Sequence, residues 1–295
     1  QELARELEAE VGDDILMLDW TKDAASRSGA TWLFNAMDSR CRLLGFKLTR
    51  TSKPHEVKSL VAGLAKRGVR PSLIYVDEEC CGQWRGIAAE YWPEACVRLD
   101  PLHAMRRLTK TVSSLQHPWH GEFCCKISDA MFDYDVDATN RLKAARARAG
   151  LGLDVPRVEM RKFVPRKIST NPSCVAAQIE EVLDEFAKRH HADAGPLVTE
   201  ATREAWSALK MHVATGCLCD PPGVKLSMPK GPAESIGGED FYAVRSRRGS
   251  SALEGFHAHQ KQWLGTFATH SLEAGTLLLT DGAASWNRKR RRDGS

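Results

Sequence analysis

The order of the apolar runs in the first third of the chain limits its fold more than any other feature. Three strand-length runs come first, with no helix between them: residues 14–21 (DILMLDWT), 31–38 (TWLFNAMD) and 41–50 (CRLLGFKLTR). The polar link Ser39-Arg40 between the last two reads as a hairpin. Only then does a helical pattern appear. Residues 54–67 carry Val57, Leu60, Val61 and Leu64 at helical spacing, with Pro54 suited to a first turn and Gly68 to a stop. Strand 72–77, helix 83–91, strand 95–99 and helix 101–114 follow. Pure alternation would imply a doubly wound parallel sheet; a meander followed by alternation implies a mixed one.

Beyond residue 115 the pattern changes. Helices are expected at 120–132, 137–149, 173–191 and 199–214, separated by polar joints. The stretch 221–232 (PPGVKLSMPKGP) reads as loop. Further helices are expected at about 250–264 and 271–279, and the basic tail 288–295 reads as frayed. The expected organisation is a helix end over 1–13, an α/β core over 14–115, a mostly helical insertion over 116–239, closing helices of the core over 240–287, and the tail. The order β-β-β-α-β-α-β-α resembles that of the RNase H fold, so the fold expectation is an RNase H-like mixed α/β sheet interrupted by an α-helical insertion.

Composition sets limits around that reading. The 295 residues are 42% hydrophobic and 27% charged, enough for a core and against wholesale disorder. The net charge is only +4, so a surface for nucleic acid has to be local. Basic clusters occur at Arg106-Arg107, Arg141–Arg148, Arg161–Lys167, Arg245–Arg248 and Arg288–Arg292, and each alone is as readily a solvated helix face. The last is also a candidate nuclear-localisation or DNA-gripping run. Nine cysteines, including the adjacent pairs Cys80-Cys81 and Cys124-Cys125, do not form a secreted disulfide pattern and fit a reducing compartment. No apolar run reaches the ~18 residues of a membrane span, and the expectation is that there is no signal peptide. The chain opens on Gln1 rather than Met, and the expectation is a fragment of a longer protein.

Two of the buried-looking strands end on acids: Asp19 after Ile15–Leu18, and Asp77 after Leu73–Val76. In the expected sheet the first and fourth strands are neighbours, which sets these carboxylates side by side. Adjacent carboxylates repel unless a cation lies between them. Mg²⁺ takes oxygen ligands, and a pair of such ions can clamp the attacking and leaving oxygens of a phosphodiester. A third acid is needed, and Glu254 in RRGSSALEGFHAH is the candidate, in the first turns of a helix that Ser250-Ser251 can cap. Taken alone, Glu254 is a solvated helix residue and Asp19 a strand-end aspartate; together on this strand order they read as a site.

The motifs ILMLDWTKDAA, LIYVDEECCG and RRGSSALEGFHAH, with RLDPLHAMRR and LLLTDGAASWN, resemble transposase-derived DDE proteins. The likeness is to the Mutator-like group and an uncharacterised eukaryotic transposon-derived family, and covers roughly residues 14–115 and 240–290. It implies a DDE transposase catalytic domain in which Asp19, Asp77 and Glu254 hold two Mg²⁺ or Mn²⁺ ions. Water cleaves a DNA strand, and the freed 3′-hydroxyl attacks target DNA. Asp100 and His103 match the family's [CD]-x-x-H signature and would support the DNA strand or the site's geometry. The resemblance also implies DNA as partner, a homo-oligomer, a nuclear setting, and DNA-end recognition by a part of the protein outside this chain. The cysteines depart from the broad Mutator-like pattern.

Other residues divide between two readings. Lys22, Arg247 and Arg248 suit phosphate contacts or plain exposure, and His257 lies three residues after Glu254 on the same helical face. Trp20, Trp84 and Trp92 read as core or lid. Cys80-Cys81 reads as small buried hydrophobes rather than a redox or soft-metal site. Cys217-x-Cys219 with Cys124-Cys125 is a conceivable structural zinc set, but the spacing is tighter than zinc prefers and no His pair beyond His190-His191 completes it. Two rivals stand beside the transposase: a domesticated, non-catalytic DNA-binding or scaffold protein, and an RNase H-like exonuclease. Proofreading-type exonucleases carry D-x-E on the first strand, and Asp19-Trp20-Thr21 lacks that glutamate.

Overall fold

The computed structural model describes residues 2–22, 25–27, 29–265 and 270–293. The chain forms two compact units, Gln1–His103 with Gly249–Ser295, and Ala104–Arg248. The first boundary lies about twelve residues before the expected junction and the second about nine residues after it, so residues 104–115 and 240–248 fall in the inserted unit.

The first unit opens with α1 (Glu2–Glu8), β1 (Ile15–Thr21), β2 (Trp32–Asp38) and β3 (Leu43–Thr49). A 3-10 turn at Pro54–Val57 leads into α2 (Lys58–Lys66), then β4 (Leu73–Val76), α3 (Gln83–Tyr91), β5 (Cys96–Leu99) and α4 (Pro101–Thr109), which carries the chain into the second unit. The sheet order is β3-β2-β1-β4-β5. β1, β2 and β3 pair antiparallel, whereas β1, β4 and β5 pair parallel. The mixed α/β architecture read from the apolar runs is therefore present. The central position of β1 and β4 explains their unbroken apolar runs, since Ile15–Leu18 and Leu73–Val76 are buried on both faces.

The second unit contains α5 (His120–Met131), β6 (Asp133–Tyr134), α6 (Val136–Arg148), α7 (Arg157–Phe163), β7 (Arg166–Lys167), α8 (Pro172–Lys188) and α9 (Glu200–Ala214). It ends in a long hairpin, β8 (Ser227–Ile236) and β9 (Glu239–Ser246). That hairpin corrects the loop expected at 221–232 from Ser227 onward and adds a strand pair to an insertion whose residues are mostly helical. Its strand β8 holds Pro229 and Pro232, which a central strand would reject; both are tolerated because a two-stranded ribbon has only edges. Gly237 and Gly238 make the turn at φ +57° and +78°, and a Cβ on Gly237 would overlap the carbonyl of Ala145 in α6. Phe241 of β9 packs with Leu142, Ala145, Phe163 and Val164.

The chain returns to the first unit with α10 (Ser251–Trp263) and α11 (Leu272–Asp293). The basic tail expected to fray is helical through Asp293. Arg288 forks onto Glu6 at 2.8 and 3.0 Å, and Arg291 reaches Glu10 at 2.6 Å. Deeper in α11, the buried Asn287 side chain accepts from Leu43 N–H and donates to Leu43 C=O, both at 2.8 Å. This amide thus takes the place of a further strand at the β3 edge. Among the described residues no helix is long and apolar enough to cross a membrane.

Candidate metal centre

The last rung of the β1–β4 ladder pairs Leu18 with Val76, so Asp19 and Asp77 occupy the next positions of two adjacent parallel strands. Their carboxyls are hydrogen-bonded to each other. Asp19 is 2% exposed, and its Oδ1 also accepts from the Trp20 N–H at 2.7 Å, which fixes its orientation. Burial pushes the Asp19 carboxyl well above the usual range; Asp77 and Glu254 push it further the same way. Asp77 is also raised, chiefly by burial and further by Asp100, against lowering by its bond to Asp19, by His103 and by Ser250.

The third acid arrives on α10, whose placement is set by two buried polar joints. One is a reciprocal amide pair: Asn35 of β2 donates to Gln260 Oε1 at 3.1 Å, and Gln260 donates to Asn35 Oδ1 at 2.7 Å. Asn35 is the ladder partner of Asp19, so the pair fixes α10 beside the site. The other joint is Asp100, directly after β5 and fully buried. Its Oδ1 accepts from Leu102 N–H (2.6 Å) and His103 N–H (3.2 Å), capping α4. Its Oδ2 accepts from the Ser250 N–H and, at 2.5 Å, from Ser250 Oγ. Gly249 sits at φ +72°, and any Cβ there would lie about 3 Å from the Asp100 carboxylate. Only glycine allows this approach.

Those joints correct one expectation. Ser250 stands at the helix start but does not cap it with its side chain; its hydroxyl goes to Asp100 and, at 3.4 Å, to Asp77. Asp100, expected to support the DNA strand or the site's geometry, has bonds of the second kind: its oxygens take four donors, from Leu102 and His103 at the start of α4 and from Ser250 at the start of α10.

His103, expected in a supporting role, stands among the acids. Its Nδ1 is 3.3 Å from Asp77 Oδ2 and its Nε2 is 3.5 Å from Glu254 Oε1. Ligand atoms of Asp19, Asp77 and His103 all lie within 4.8 Å of one another, a group able to hold a metal ion. Glu254 is more exposed and lies at the outer side of this group, near enough to raise Asp19. His257 Nε2 is 3.9 Å from Asp19 Oδ2.

The basic residues have partners of their own. Lys22 is exposed, with its ammonium 4.5 Å from the Trp32 ring centroid. Arg247 and Arg248 belong to the second unit. Arg248 forks onto Asp220 at 2.7 and 2.5 Å with little exposure, and Arg247 donates to the Lys225 carbonyl at 2.8 Å. Arg248 is thus engaged in holding that unit, and Arg247 makes an exposed bond within it. In the 141–148 cluster, Arg141 and Arg148 clasp Glu239, and Arg146 holds Glu159 at 2.5 Å. Trp84 and Trp92 are core, and Trp84 stacks on Phe34. The cysteines are unbridged. Among the described residues, no three-ligand group joins Cys217 or Cys219 to Cys124 or Cys125.

The buried Asn35–Gln260 pair and the Ser250 hydroxyl were not anticipated from sequence. The signals were an asparagine inside the apolar run TWLFNAMD and a glutamine at the i+6 position from Glu254. A scan against protein-family models and a search of curated proteins each return no match for this chain.

Proposed function

We propose that this chain is the catalytic domain of a DDE-type transposase, with an RNase H-like core that cleaves DNA strands and transfers the freed 3′ ends to target DNA. The observation that carries the reading is the contact of Asp19 with Asp77 at the ends of neighbouring parallel strands, with Glu254 brought to the same place on α10. The sheet order β3-β2-β1-β4-β5, with a three-strand antiparallel meander and parallel β4 and β5, supports the RNase H-like assignment.

The residues fit a divalent cation. Two carboxyls in mutual contact, Asp19 buried and Asp77 half-buried, cannot both be ionised at low cost, and a cation between them removes that cost. Asp19 and Asp77 would hold it, and bound Mg²⁺ or Mn²⁺ supplies positive charge against a phosphodiester oxygen. The protein's own part is positional. The Trp20 N–H orients Asp19, Asp100 locks α4 to α10, and Asn35 with Gln260 holds Glu254 over the strand ends. Glu254, the most exposed of the three acids, marks the side open to substrate. DNA as substrate, a homo-oligomeric assembly and a nuclear setting belong to the same reading.

The test is nicking of supercoiled plasmid in Mg²⁺ or Mn²⁺. Wild type is expected to nick, and Asp19→Ala to lose the metal-dependent product. Nicking that survives Asp19→Ala sinks the mechanism; DNA binding without any nicking by wild type favours the domesticated, non-catalytic protein.

A further inference from the structure

The imidazole of His103 faces carboxylates at both nitrogens, Asp77 at Nδ1 and Glu254 at Nε2. A neutral imidazole has one N–H and one lone pair, so it can donate to only one of them. The Nε2 atom is shut off from water and makes no hydrogen bond within 3.5 Å, and Glu254 Oε1 is the carboxylate oxygen it faces. With the proton on Nε2, the Nδ1 lone pair is left beside Asp77 Oδ2 at 3.3 Å, in the group of ligand atoms that His103 forms with Asp77 and Asp19. That is a repulsive arrangement for a bare site and the correct one for a coordinated ion. The His103 backbone is tied through its N–H to Asp100, so the ring is presented from a fixed helix start.

We infer that His103 is the third protein ligand of the centre through Nδ1, that Glu254 is the carboxylate orienting it from Nε2, and that this donor set takes Mn²⁺ in preference to Mg²⁺. The inference rests on the proposed cation site and deepens it. A metal-bound histidine characteristically gives its other N–H to a carboxylate, and Glu254 stands in that place. Imidazole suits transition ions, carboxylates suit Mg²⁺ and Mn²⁺ alike, and Mg²⁺ parts reluctantly with its water. A two-carboxylate, one-imidazole set therefore discriminates toward Mn²⁺. Glu254 is removed from the ligand shell by this assignment but stays essential to it.

The experiment is Mn²⁺ titration of the full chain followed by electron paramagnetic resonance, with pulsed detection of ¹⁴N coupling to the bound ion and Mg²⁺ competition. A duplex oligonucleotide is present in a parallel series. Wild type is expected to show imidazole ¹⁴N coupling. His257→Gln, which removes the other nearby imidazole, keeps it; His103→Gln loses it. Glu254→Ala should keep the coupling and bind Mn²⁺ roughly tenfold more weakly. His103→Gln should lose more than that for Mn²⁺ and much less for Mg²⁺. Mn²⁺ bound to wild type without nitrogen coupling, or coupling lost in His257→Gln alone, overturns the role of His103 and leaves the cation site standing. Should the His103 variant not fold, the wild-type and His257→Gln spectra still decide. No Mn²⁺ or Mg²⁺ binding by wild type in either series overturns the inference together with the proposed function.

Discussion

Two buried aspartates lie at opposite ends of the same sheet, and their surroundings are opposite in kind. Asp38 closes β2 at the β2–β3 turn, where it pairs across the ladder with Leu16 near the start of β1. Its carboxylate accepts from the backbone N–H groups of Arg40 (3.0 Å) and Arg42 (2.8 Å), and from the Arg42 guanidinium at 2.8 and 2.7 Å. Asp19, near the other end of β1, accepts from one backbone N–H and otherwise meets another carboxyl. Burial raises both, Asp38 from 3.8 to about 6 and Asp19 well above its usual range. The difference is what answers the charge. At Asp38 the protein supplies donors and a cation from its own chain. At Asp19 it supplies more acid, which a proton shared with Asp77 answers in the metal-free protein and, on the proposed reading, a cation from outside answers in the working one.

The largest expected effect separates the two on activity. Asp77→Asn should cost metal-dependent nicking about a thousandfold, because several kcal/mol of charge stabilisation are lost with the ion. Its metal-free thermal midpoint should hold or rise, since the substitution relieves a carboxyl–carboxyl contact. Asp38→Asn should nick at the wild-type rate when assayed below its melting temperature. Loss of activity in both variants would break the comparison.

Stability should separate them in the other direction. Asp38→Ala leaves two turn N–H groups and the Arg42 guanidinium without their acceptor. Breaking a fully buried pair costs about 3–5 kcal/mol; here roughly 2–4 is expected, because Arg42 keeps Glu10 at 3.5 Å and some access to water. Chemical denaturation reads this directly.

The pH dependence follows from the sign of the shift. A carboxyl raised on folding binds its proton more tightly in the native state. Its contribution is full below the unfolded value near 4 and is lost as pH rises through the folded value. For Asp38 that window is about 4 to 6, worth about 3 kcal/mol. The difference between wild type and Asp38→Asn should therefore change across it. Asp19 runs the same way in metal-free protein. Saturating Mn²⁺ should abolish the Asp19 part and leave the Asp38 part untouched.

A third buried polar joint shows what full satisfaction is worth without any charge. Gln260→Leu strands the Asn35 amide in the core and should cost about 1–3 kcal/mol, with much of it regained in the Asn35→Leu, Gln260→Leu double variant. A double variant as unstable as the sum of the singles would mean that packing, not hydrogen bonding, holds α10 on β2.

Sequence exposed the parts of this molecule governed by apolar periodicity. The five strands of the main sheet and the neighbouring places of Asp19 and Asp77 follow from runs such as ILML and LIYV ending in acids. What escaped was governed by polar geometry. The β8–β9 hairpin is built from exposed residues around two prolines, so only Gly237-Gly238 between its strands signalled it. Asp100 was read as supporting either the DNA strand or the site's geometry, because its type and spacing do not reveal that Ser250, some 150 residues later, bonds to one of its oxygens. Arg248 looked like a phosphate contact because Asp220 is distant in sequence. The placement of His103 depends on where α4 and α10 meet the strand ends, which no local pattern encodes.

The smallest expected effect lies at the exposed limit of the same series. Glu6 is held by the Arg288 fork as Asp38 is held by Arg42, yet its carboxyl moves the opposite way: the Arg288 hydrogen bond lowers it, because burial hardly opposes. A lowered carboxyl contributes stability above its unfolded pKa and loses it as pH falls through the folded one. That contribution is screened by water and salt, and ordering two long side chains opposes it. Glu6→Gln should leave the thermal midpoint unmoved at physiological salt, with any change confined to low ionic strength and vanishing as salt is added. A salt-insensitive loss would show that α11 depends on this ion pair for its docking, and not on Asn287 at the β3 edge, whose buried amide bonds salt does not reach.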